Sequence, residues 1–335
     1  MKIALRSPNW IGDCVMALPA IYALKKRFPE SEITLVTKPY LKDFFLNVRE
    51  LSEIVTIPEN RSLLKTWKRA RRMHLQNHDI GILFTNSFKS ALIFRMAGIR
   101  NIVGYSRDGR GFLLRKRFQF PKNDRHHRFF YIDLINQLFD GDFVDASINI
   151  LRFSKTELTA VRQKLGTLGI EIKRPIIGIS PTAAYGTAKM WPSDQFNHLI
   201  SRLQTIYPDI QVVLFGSEKE AQRIDRVVKG IDRNCYNLAG KLTLRESMAA
   251  ISLCRLFISN DSGLMHLADA LGIPLLGIFG PTIPHKTRPI GKQSEILFKK
   301  VSCSPCKFRE CPIDHRCMTG LTVGMVLKWV REKLG

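Results

Sequence analysis

Short apolar runs that alternate with helix-spaced segments constrain the fold of this chain more than any other feature of its sequence. Residues 2–6 form the first run, and residues 11–28 place apolar side chains at the steps of a helix face before Pro29 ends the pattern. Further strand-like runs follow at residues 33–37, 80–84 and 102–105. Alternation of this kind predicts a mostly parallel sheet covered by helices.

The same alternation restarts after a more polar stretch at residues 154–174. Strands are predicted at residues 175–180, 211–215, 256–259 and 274–279, and helices at residues 193–207, 218–228 and 263–271. A chain of 335 residues also exceeds the size at which one hydrophobic core stops growing. We therefore predict an α/β protein with two Rossmann-like, doubly wound domains at residues 1–173 and 174–320, and a C-terminal helix at 321–335 that packs back on them.

The balance of charge indicates an anionic partner. Lys and Arg number 52 against 29 Asp and Glu, which gives a formal net charge of +23. Two basic clusters lie in the first half of the chain: Arg61, Lys65, Lys68, Arg69, Arg71 and Arg72, and then Arg107, Arg110, Arg115, Lys116, Arg117, Lys122, Arg125 and Arg128. We interpret the clusters as anion-binding surfaces, with solvated faces of helices or loops as the alternative.

The apolar runs are too short for a membrane-spanning helix. Residues 80–85 and 274–279 are among the longest, and both fall far below the ~20 residues that cross a bilayer. The first residues run directly into a strand and lack the apolar core and cleavage site of a signal peptide. We therefore expect a cytoplasmic protein.

In open parallel sheets, ligands collect beyond the carboxyl ends of strands, and three loops of the second half fit that rule. Asp261, Ser262 and Gly263 follow a strand and open a helix that contains His266. Gly263 lets a ligand approach the backbone, and Ser262 and the helix amides can donate to a phosphate. The alternative for Asp261 is that it only caps the helix.

The other two loops carry Lys189 and Glu218. An ammonium group just before a helix suits a diphosphate leaving group, although Lys189 can also be an ordinary exposed lysine. A carboxylate after a strand and a glycine suits a ribose hydroxyl, and here too helix capping by Ser217 or Glu218 is the alternative. The chain has neither a Walker phosphate loop nor a dinucleotide-type glycine triplet after a strand, which disfavours ordinary NTPases and dehydrogenases.

Polar residues also follow two strands of the first half. Asp13 begins a helix after the first strand, where a carboxylate acts as a general base or is simply favoured by the helix dipole. Asn86, Ser87 and Lys89 stand at another strand-to-helix turn and suit either hydroxyl recognition or capping.

Taken together, these motifs resemble those of the ADP-heptose:lipopolysaccharide heptosyltransferases, most closely the heptosyltransferase II branch. The resemblance covers most of the chain and rests on residues 12–13, 86–92, 188–192, 213–217, 237–240 and 260–266. It implies a GT-B fold of two Rossmann-like domains facing a cleft. It also implies inverting, metal-independent transfer of L-glycero-D-manno-heptose from ADP-heptose to the inner core of lipopolysaccharide.

By the same resemblance, Asp13 is the catalytic base that deprotonates the acceptor hydroxyl. The expected nucleotide-sugar site contains Lys189, Glu218, Asp261, Ser262, Gly263 and His266, and the expected acceptor site contains Asn86, Ser87 and Lys89. The acceptor is an anionic lipid, which accounts for the positive charge. We therefore expect the protein to be peripheral on the anionic cytoplasmic face of the inner membrane.

Two other functions compete with this interpretation. A related glycosyltransferase using a different nucleotide sugar would share the same fold, because sugar choice depends on a few contacts. A nucleic-acid-binding module would also be basic, but the sequence has neither paired-histidine zinc-finger spacing nor an RNP-type aromatic motif. Nucleic acid is therefore not an expected partner.

Four of the seven cysteines crowd into one segment as Cys303, Cys306, Cys311 and Cys317. In a cytoplasmic chain this crowding suggests a structural zinc site of four thiolates, although the spacing departs from two paired knuckles. The alternative is reduced thiols in a loop. A closed four-thiolate site has no open position for chemistry, so no catalytic cofactor is expected in either case.

Overall fold

The computed structural model of the chain describes residues 1–57, 62–122, 124–231 and 233–335. Arg61, the first member of the first basic cluster, lies outside the described residues. The chain divides into two compact units, Met1–Arg152 and Phe153–Gly335.

The first unit is a parallel sheet with helices packed on it. Within its described residues the strands are β1 (Lys2–Arg6), β2 (Glu32–Thr37), β3 (Glu53–Thr56), β4 (Ile80–Leu83), β5 (Ile102–Tyr105) and β6 (Lys116–Phe118), and the helices are α1 (Ile11–Arg27), α2 (Leu63–Arg71), α3 (Phe88–Met96) and α4 (Arg128–Phe139). The sheet order is β3-β2-β1-β4-β5-β6, with every neighbouring pair parallel. The chain reverses its direction of winding between β1 and β4, and their carboxyl ends therefore form the crevice where such sheets bind ligands.

The second unit repeats this plan. Among its described residues the strands are β7 (Ile176–Ser180), β8 (Gln211–Leu214), β9 (Cys235–Asn237), β10 (Leu256–Asn260), β11 (Leu275–Phe279) and β12 (Ser294–Phe298), and the helices are α5 (Lys155–Thr167), α6 (Ser193–Ile206), α7 (Ala221–Val227), α8 (Leu244–Ile251), α9 (Gly263–Ala270), α10 (Pro284–Thr287), α11 (Arg316–Thr319) and α12 (Val323–Leu334). The order β12-β11-β10-β7-β8-β9 is again parallel throughout. Its crevice lies at the carboxyl ends of β7 and β10.

The predicted α/β, doubly wound architecture is confirmed in both units. The central strands carry continuous apolar runs because helices cover both faces of a parallel sheet, and Ile177, Ile179, Phe257 and Ile258 are fully buried. Several elements that the sequence analysis did not predict are also present. They include β3, β6, β9 and β12, helices α2, α4 and α5, and the short 3₁₀ turn Arg110–Leu113.

The division between the units falls after Arg152, earlier than the predicted boundary between residues 173 and 174. The physical reason is α5, which packs against α8 in the second unit. Glu157 on α5 is paired with Arg245 on α8 at 2.8 Å, and Lys164 is paired with Glu246, also at 2.8 Å. The polar stretch at residues 154–174 therefore contains an ion-paired helix of the second unit.

The C-terminal helix α12 packs on α6 in the second unit. Its inner face, which includes Val326, Leu327 and Val330, joins the core that Phe196, Leu203 and the neighbouring strands form. In the part of the chain that the structure describes, helices with the length and apolarity required to cross a membrane are absent.

Candidate functional site

Asp13 lies in the first turn of α1, immediately beyond β1, where the helix dipole favours a carboxylate. The hydroxyl of Tyr131, on α4, donates to Asp13 Oδ1 at 3.3 Å. Burial, and then the neighbouring Asp13 carboxylate, raise the pKa of Tyr131 well above its usual value. Tyr131 therefore stays protonated and orients the carboxylate, a role that the sequence analysis did not foresee.

The turn between β1 and α1 is fixed by Arg6, the last residue of β1. Its guanidinium donates to the carbonyl oxygen of Val36 at 2.9 Å and to Asn9 Oδ1 at 3.0 Å, and the side chain is almost fully buried. These bonds tie the end of β1 to the end of β2. They therefore fix the backbone that leads into the Asp13 turn.

The turn that carries Asn86, Ser87 and Lys89 follows β4, which is the neighbour of β1 in the sheet. Ser87 is the N-cap of α3, and its side chain accepts from the backbone N–H of Ser90 at 3.3 Å. Ser87 therefore caps α3, which was the alternative to hydroxyl recognition for this residue.

The completely buried side chain of Arg110 supports this turn through hydrogen bonds. Its guanidinium donates to the carbonyl oxygen of Thr85 at 2.6 Å, to Ser90 Oγ at 3.2 Å and to Asn86 Oδ1 at 3.4 Å. Burial lowers the pKa of Arg110 to about 10, so the group still carries its charge at neutral pH. Asn86 is therefore engaged with a buried arginine, which favours a positioning role over direct ligand contact.

An open pocket lies over the carboxyl ends of the first unit's strands. It is lined by Arg6, Asn9, Lys38, Ile57, Thr85, Ser87, Lys89, Ser90 and Ile93. Ser87 and Lys89 were predicted at the acceptor site, whereas Arg6 and Lys38 were missed. Both of these cations stand at the carboxyl ends of strands, and that position could have identified them as ligand-binding candidates in the sequence. Three cations beside hydroxyl and amide groups suit an anionic, hydroxylated ligand.

In the second unit, Lys189 and Asp261 come together at the carboxyl ends of β7 and β10. Lys189 Nζ lies 2.6 Å from Asp261 Oδ2, and the two side chains are only 14% and 5% exposed. The Thr282 hydroxyl donates to the same carboxylate oxygen at 2.7 Å. Lys189 is therefore not an ordinary exposed lysine, and helix capping alone does not explain Asp261. This buried ion pair stands at the crevice where a diphosphate is expected.

The neighbouring loop is held in place by Asn260 and Trp191. Asn260 Oδ1 accepts from the backbone N–H of Trp191 at 3.0 Å, and the Trp191 indole donates to the carbonyl oxygen of Leu321 at 2.8 Å. Trp191 is essentially fully buried, and its ring lies 4.9 Å from that of Phe196. The turn that carries Lys189 is therefore fastened both to β10 and to the segment before α12.

Ser262 and Gly263 stand where α9 begins. Ser262 is the N-cap residue without a side-chain capping bond, and its Oγ lies 3.1 Å from Ser259 Oγ. Gly263 is the first residue of α9, and His266 is buried in the same helix, at 5% exposed. The backbone N–H groups at the start of α9 are therefore suited to donate to a phosphate oxygen, which is the role that the sequence pattern predicts for this turn.

Glu218 lies just beyond β8, in a short 3₁₀ turn, and its side chain is exposed. Glu220, not Glu218, completes the capping box with Ser217, whose backbone N–H donates to Glu220 Oε2 at 2.8 Å. Gly240 has a φ of +74°, and its missing Cβ would lie 2.9 Å from the Cα of Glu218. Glu218 is thus not the residue that closes the capping box, and its role at a ribose stays a prediction.

The second basic cluster is not a single anion-binding surface, and that interpretation is corrected by burial. Arg110 and Arg128 are buried, and Arg128 donates to the carbonyl oxygen of Ala146. Arg125 pairs with Asp133 at 3.1 Å, and the Arg107 guanidinium lies 4.5 Å from the centre of the Phe120 ring. Several members of the cluster therefore build the fold of the first unit.

The cysteine-rich segment packs against the Lys189 turn. The carbonyl oxygen of Arg309 accepts from the backbone N–H of Ala188 at 2.9 Å, and the His315 ring contacts the carbonyl oxygen of Ala188 at 2.8 Å. Burial, together with three neighbouring cysteines, raises the pKa of Cys317 to about 11. Across the described ranges, however, no group of three or more His, Cys, Asp or Glu side chains is arranged to hold a metal ion. The zinc hypothesis thus gains no support from the geometry.

Residues 66–316 match glycosyltransferase family 9 (heptosyltransferase), and the chain belongs to this family. The lipooligosaccharide heptosyltransferase 2 of Haemophilus ducreyi is 32% identical over 310 residues, which cover 89% of this chain and 88% of that protein. The lipopolysaccharide heptosyltransferase 2 of Salmonella typhimurium is 29% identical over 315 residues, with the same coverage. The solved structure of E. coli ADP-heptose lipopolysaccharide heptosyltransferase II is 26% identical with a TM-score of 0.86, and the match covers 100% of this chain and 98% of that one.

These comparisons confirm the family resemblance and the predicted GT-B class of fold, because both doubly wound units are matched end to end. They also establish that the protein is a glycosyltransferase.

Proposed function

We propose that this glycosyltransferase transfers L-glycero-D-manno-heptose from ADP-heptose to the inner core of lipopolysaccharide, with inversion at the anomeric carbon. The observation that carries the proposal is the pair of equivalent crevices. One holds a helix-borne carboxylate at Asp13, and the other holds the Lys189–Asp261 pair at the start of α9. The heptosyltransferase 2 relatives, which match over most of their length, support the choice of sugar and acceptor.

In the proposed reaction the acceptor hydroxyl loses its proton to Asp13 and attacks the anomeric carbon of the heptose. The new carbon–oxygen bond forms on the face opposite the bond to the β-phosphate, and that bond breaks with its electron pair leaving on ADP. One displacement of this kind inverts the configuration. Asp13 therefore needs a fixed orientation, and its hydrogen bond from Tyr131 supports this requirement.

The departing diphosphate gains negative charge, and Lys189 with the amides at the start of α9 would stabilise it. The Lys189 ammonium is held at this crevice by Asp261. A diphosphate would compete with Asp261 for the ammonium. Cations and helix amides supply the charge that a metal supplies in other transferases, and we propose no catalytic metal.

The acceptor side is assigned to the pocket of the first unit. Arg6, Lys38 and Lys89 line it together with Ser87 and Thr85. Cations beside hydroxyl groups suit an acidic sugar, and the inner core of lipopolysaccharide is anionic. Since this acceptor is anchored in a membrane, we also propose that the protein works on the cytoplasmic face of the inner membrane.

The test combines binding and turnover. Calorimetry would measure the affinities of ADP, UDP and GDP without added metal, and a parallel assay would follow ADP release from ADP-heptose with a truncated lipopolysaccharide acceptor. We expect selective ADP binding and acceptor-dependent ADP release. A preference for UDP or GDP would keep the fold and the mechanism but change the sugar, and it would favour the related-glycosyltransferase alternative.

A further inference from the structure

Helix α2 presents an exposed face that combines apolar and basic side chains. Leu64 is 74% exposed and Trp67 is 45% exposed, which is unusual for two large apolar residues one turn apart. Lys65, Lys68, Arg69, Arg71 and Arg72 are all exposed on or directly after the same helix. The segment 62–73 contains no acidic residue. This surface, called the α2 face below, was only partly identified as the first basic cluster.

The opposite side of α2 is firmly attached to the first unit. Thr66 is 6% exposed and Ala70 is fully buried, and the helix packs against α3. At about 100° per residue, Thr66 and Ala70 share one side, Leu64 and Lys68 lie on the opposite side, and Trp67 lies at the boundary between the two. The helix is therefore attached to the first unit by one side and presents its other side outward.

The chemistry of the α2 face distinguishes between two kinds of anionic partner. A bare polyanion needs only the cations, whereas an anionic bilayer also provides an apolar layer for Leu64 and Trp67. Tryptophan is enriched at the level of lipid headgroups, where its ring is apolar and its N–H stays hydrated. Basic residues beside it are attracted by the negative surface potential of anionic lipids.

We propose that the α2 face docks this protein onto an anionic phospholipid surface, with Trp67 and Leu64 entering the interface and the flanking cations on the headgroups. This inference deepens the proposed function, since it assigns to one helix the contact with the membrane that holds the acceptor. It depends on residues outside the two crevices, and it can therefore fail while the transferase function stands.

The first test is sedimentation with vesicles of phosphatidylglycerol and phosphatidylethanolamine, compared with vesicles of phosphatidylcholine alone. Neutralising three cations (Lys65→Gln, Lys68→Gln and Arg69→Gln) is expected to weaken binding to the anionic vesicles roughly 100-fold. The matched control removes the same charge from exposed sites of the second unit (Lys155→Gln, Arg162→Gln and Lys173→Gln). It should weaken binding much less. Equal losses in both variants would overturn the proposal, because net charge alone would then explain the attraction.

The second test examines the apolar component. Trp67→Ser should lower the affinity for anionic vesicles roughly tenfold, whereas Met325→Ser, at a site that is also 45% exposed, should not. Unchanged binding of Trp67→Ser would contradict insertion and would favour a bare polyanion such as a nucleic acid.

Turnover with a delipidated acceptor in solution separates this proposal from the proposed function. The α2 variants should keep the wild-type kcat and KM in that assay, while losing activity on acceptor embedded in vesicles. A raised KM for the delipidated acceptor would instead show that α2 contacts the sugar, and the lipid-docking proposal would then be wrong.

Discussion

At the scale of single residues, the Asp13 carboxylate is defined by what surrounds it. The start of α1 favours its negative charge, and the Tyr131 hydroxyl fixes one of its oxygens at 3.3 Å. Phe84 packs edge to face on the Tyr131 ring at 5.2 Å, which limits the movement of the tyrosine. A general base requires this kind of fixed geometry.

We predict that Asp13→Asn lowers kcat by roughly 10²- to 10⁴-fold, because the amide cannot accept the proton of the acceptor hydroxyl. ADP affinity, measured by calorimetry, should be nearly unchanged, since Asp13 belongs to the other unit. Tyr131→Phe is the matched control, because it removes only the hydrogen bond, and we expect a much smaller loss. Full turnover in Asp13→Asn would show that the residue serves the helix alone.

The Lys189–Asp261 pair leads to a second prediction. Lys189→Met should weaken ADP binding and lower kcat, because it removes the cation proposed to stabilise the diphosphate. It should also destabilise the second unit by about 3–5 kcal/mol, because the Asp261 carboxylate stays buried without its partner. The double variant Lys189→Met/Asp261→Asn separates the two effects in chemical denaturation and ADP titration. It should recover stability without recovering ADP affinity, and recovered affinity would exclude Lys189 as a diphosphate ligand.

At the scale of elements, the turn after β4 depends on a side chain from the 3₁₀ turn Arg110–Leu113. The Arg110 guanidinium satisfies the carbonyl oxygens of Thr85 and Tyr105 and the side-chain oxygens of Ser90 and Asn86. Buried acceptors of this kind are costly to leave unpaired. Arg110 is therefore the main support of the polar turn at the proposed acceptor pocket.

Replacing Arg110 with Met is expected to lower the free energy of unfolding by about 2–4 kcal/mol, since several buried oxygens lose their donor. In the fraction that stays folded, KM for the acceptor should rise more than kcat falls, because the turn lines the pocket proposed to bind the acceptor. Arg115→Met is the control, as Arg115 is exposed in the same region. An unchanged unfolding midpoint for Arg110→Met, measured by urea denaturation, would contradict this role.

The contact between α5 and α8 leads to a prediction about pH. The Arg245 hydrogen bond lowers the pKa of Glu157 from 4.5 to about 2. A carboxylate whose pKa is lower in the folded state adds stability above its unfolded pKa, and this stability is lost as pH falls from 4.5 towards 2. The Glu157 side chain is 28% exposed, so solvent screening limits the contribution to about 2 kcal/mol.

Glu157→Gln should therefore lower the free energy of unfolding at neutral pH and flatten its dependence on pH across that acidic window. Urea denaturation at several pH values measures both effects. Glu171→Gln provides a control, because Glu171 is 67% exposed and pairs with Arg174 at the surface. A wild-type pH profile in Glu157→Gln would show that the ion pair does not stabilise the attachment of α5.

At the scale of the whole molecule, the net charge of +23 affects the association of the protein with charged ligands more than it affects the fold. We predict that KM for the anionic acceptor rises with salt, because screening weakens long-range attraction, while kcat changes little. Steady-state kinetics over a series of potassium chloride concentrations would measure this, with sucrose as an uncharged control. A KM that is independent of salt would show that the net charge does not guide the acceptor.

The sequence by itself predicted the architecture and the strand-end turns at which the chemistry is proposed. Strand and helix periods are local properties, so the alternation of apolar runs was sufficient to predict two doubly wound units. The rule that ligands bind beyond strand ends also needs only a short stretch of sequence. It drew attention to Asp13, Lys189 and the turn at Asp261 without any knowledge of their partners.

Only the tertiary structure decided which side chains meet. Lys189 and Asp261 are 72 residues apart, and Tyr131 and Asp13 are 118 residues apart, so no local period relates them. The order of strands brings β4 beside β1 and β10 beside β7, and helix packing delivers Tyr131 and the α5 ion pairs. These contacts depend on how whole elements pack, which a pattern of a few residues does not encode. For the same reason, burial alone separated Arg110, which supports the fold, from the exposed cations of α2.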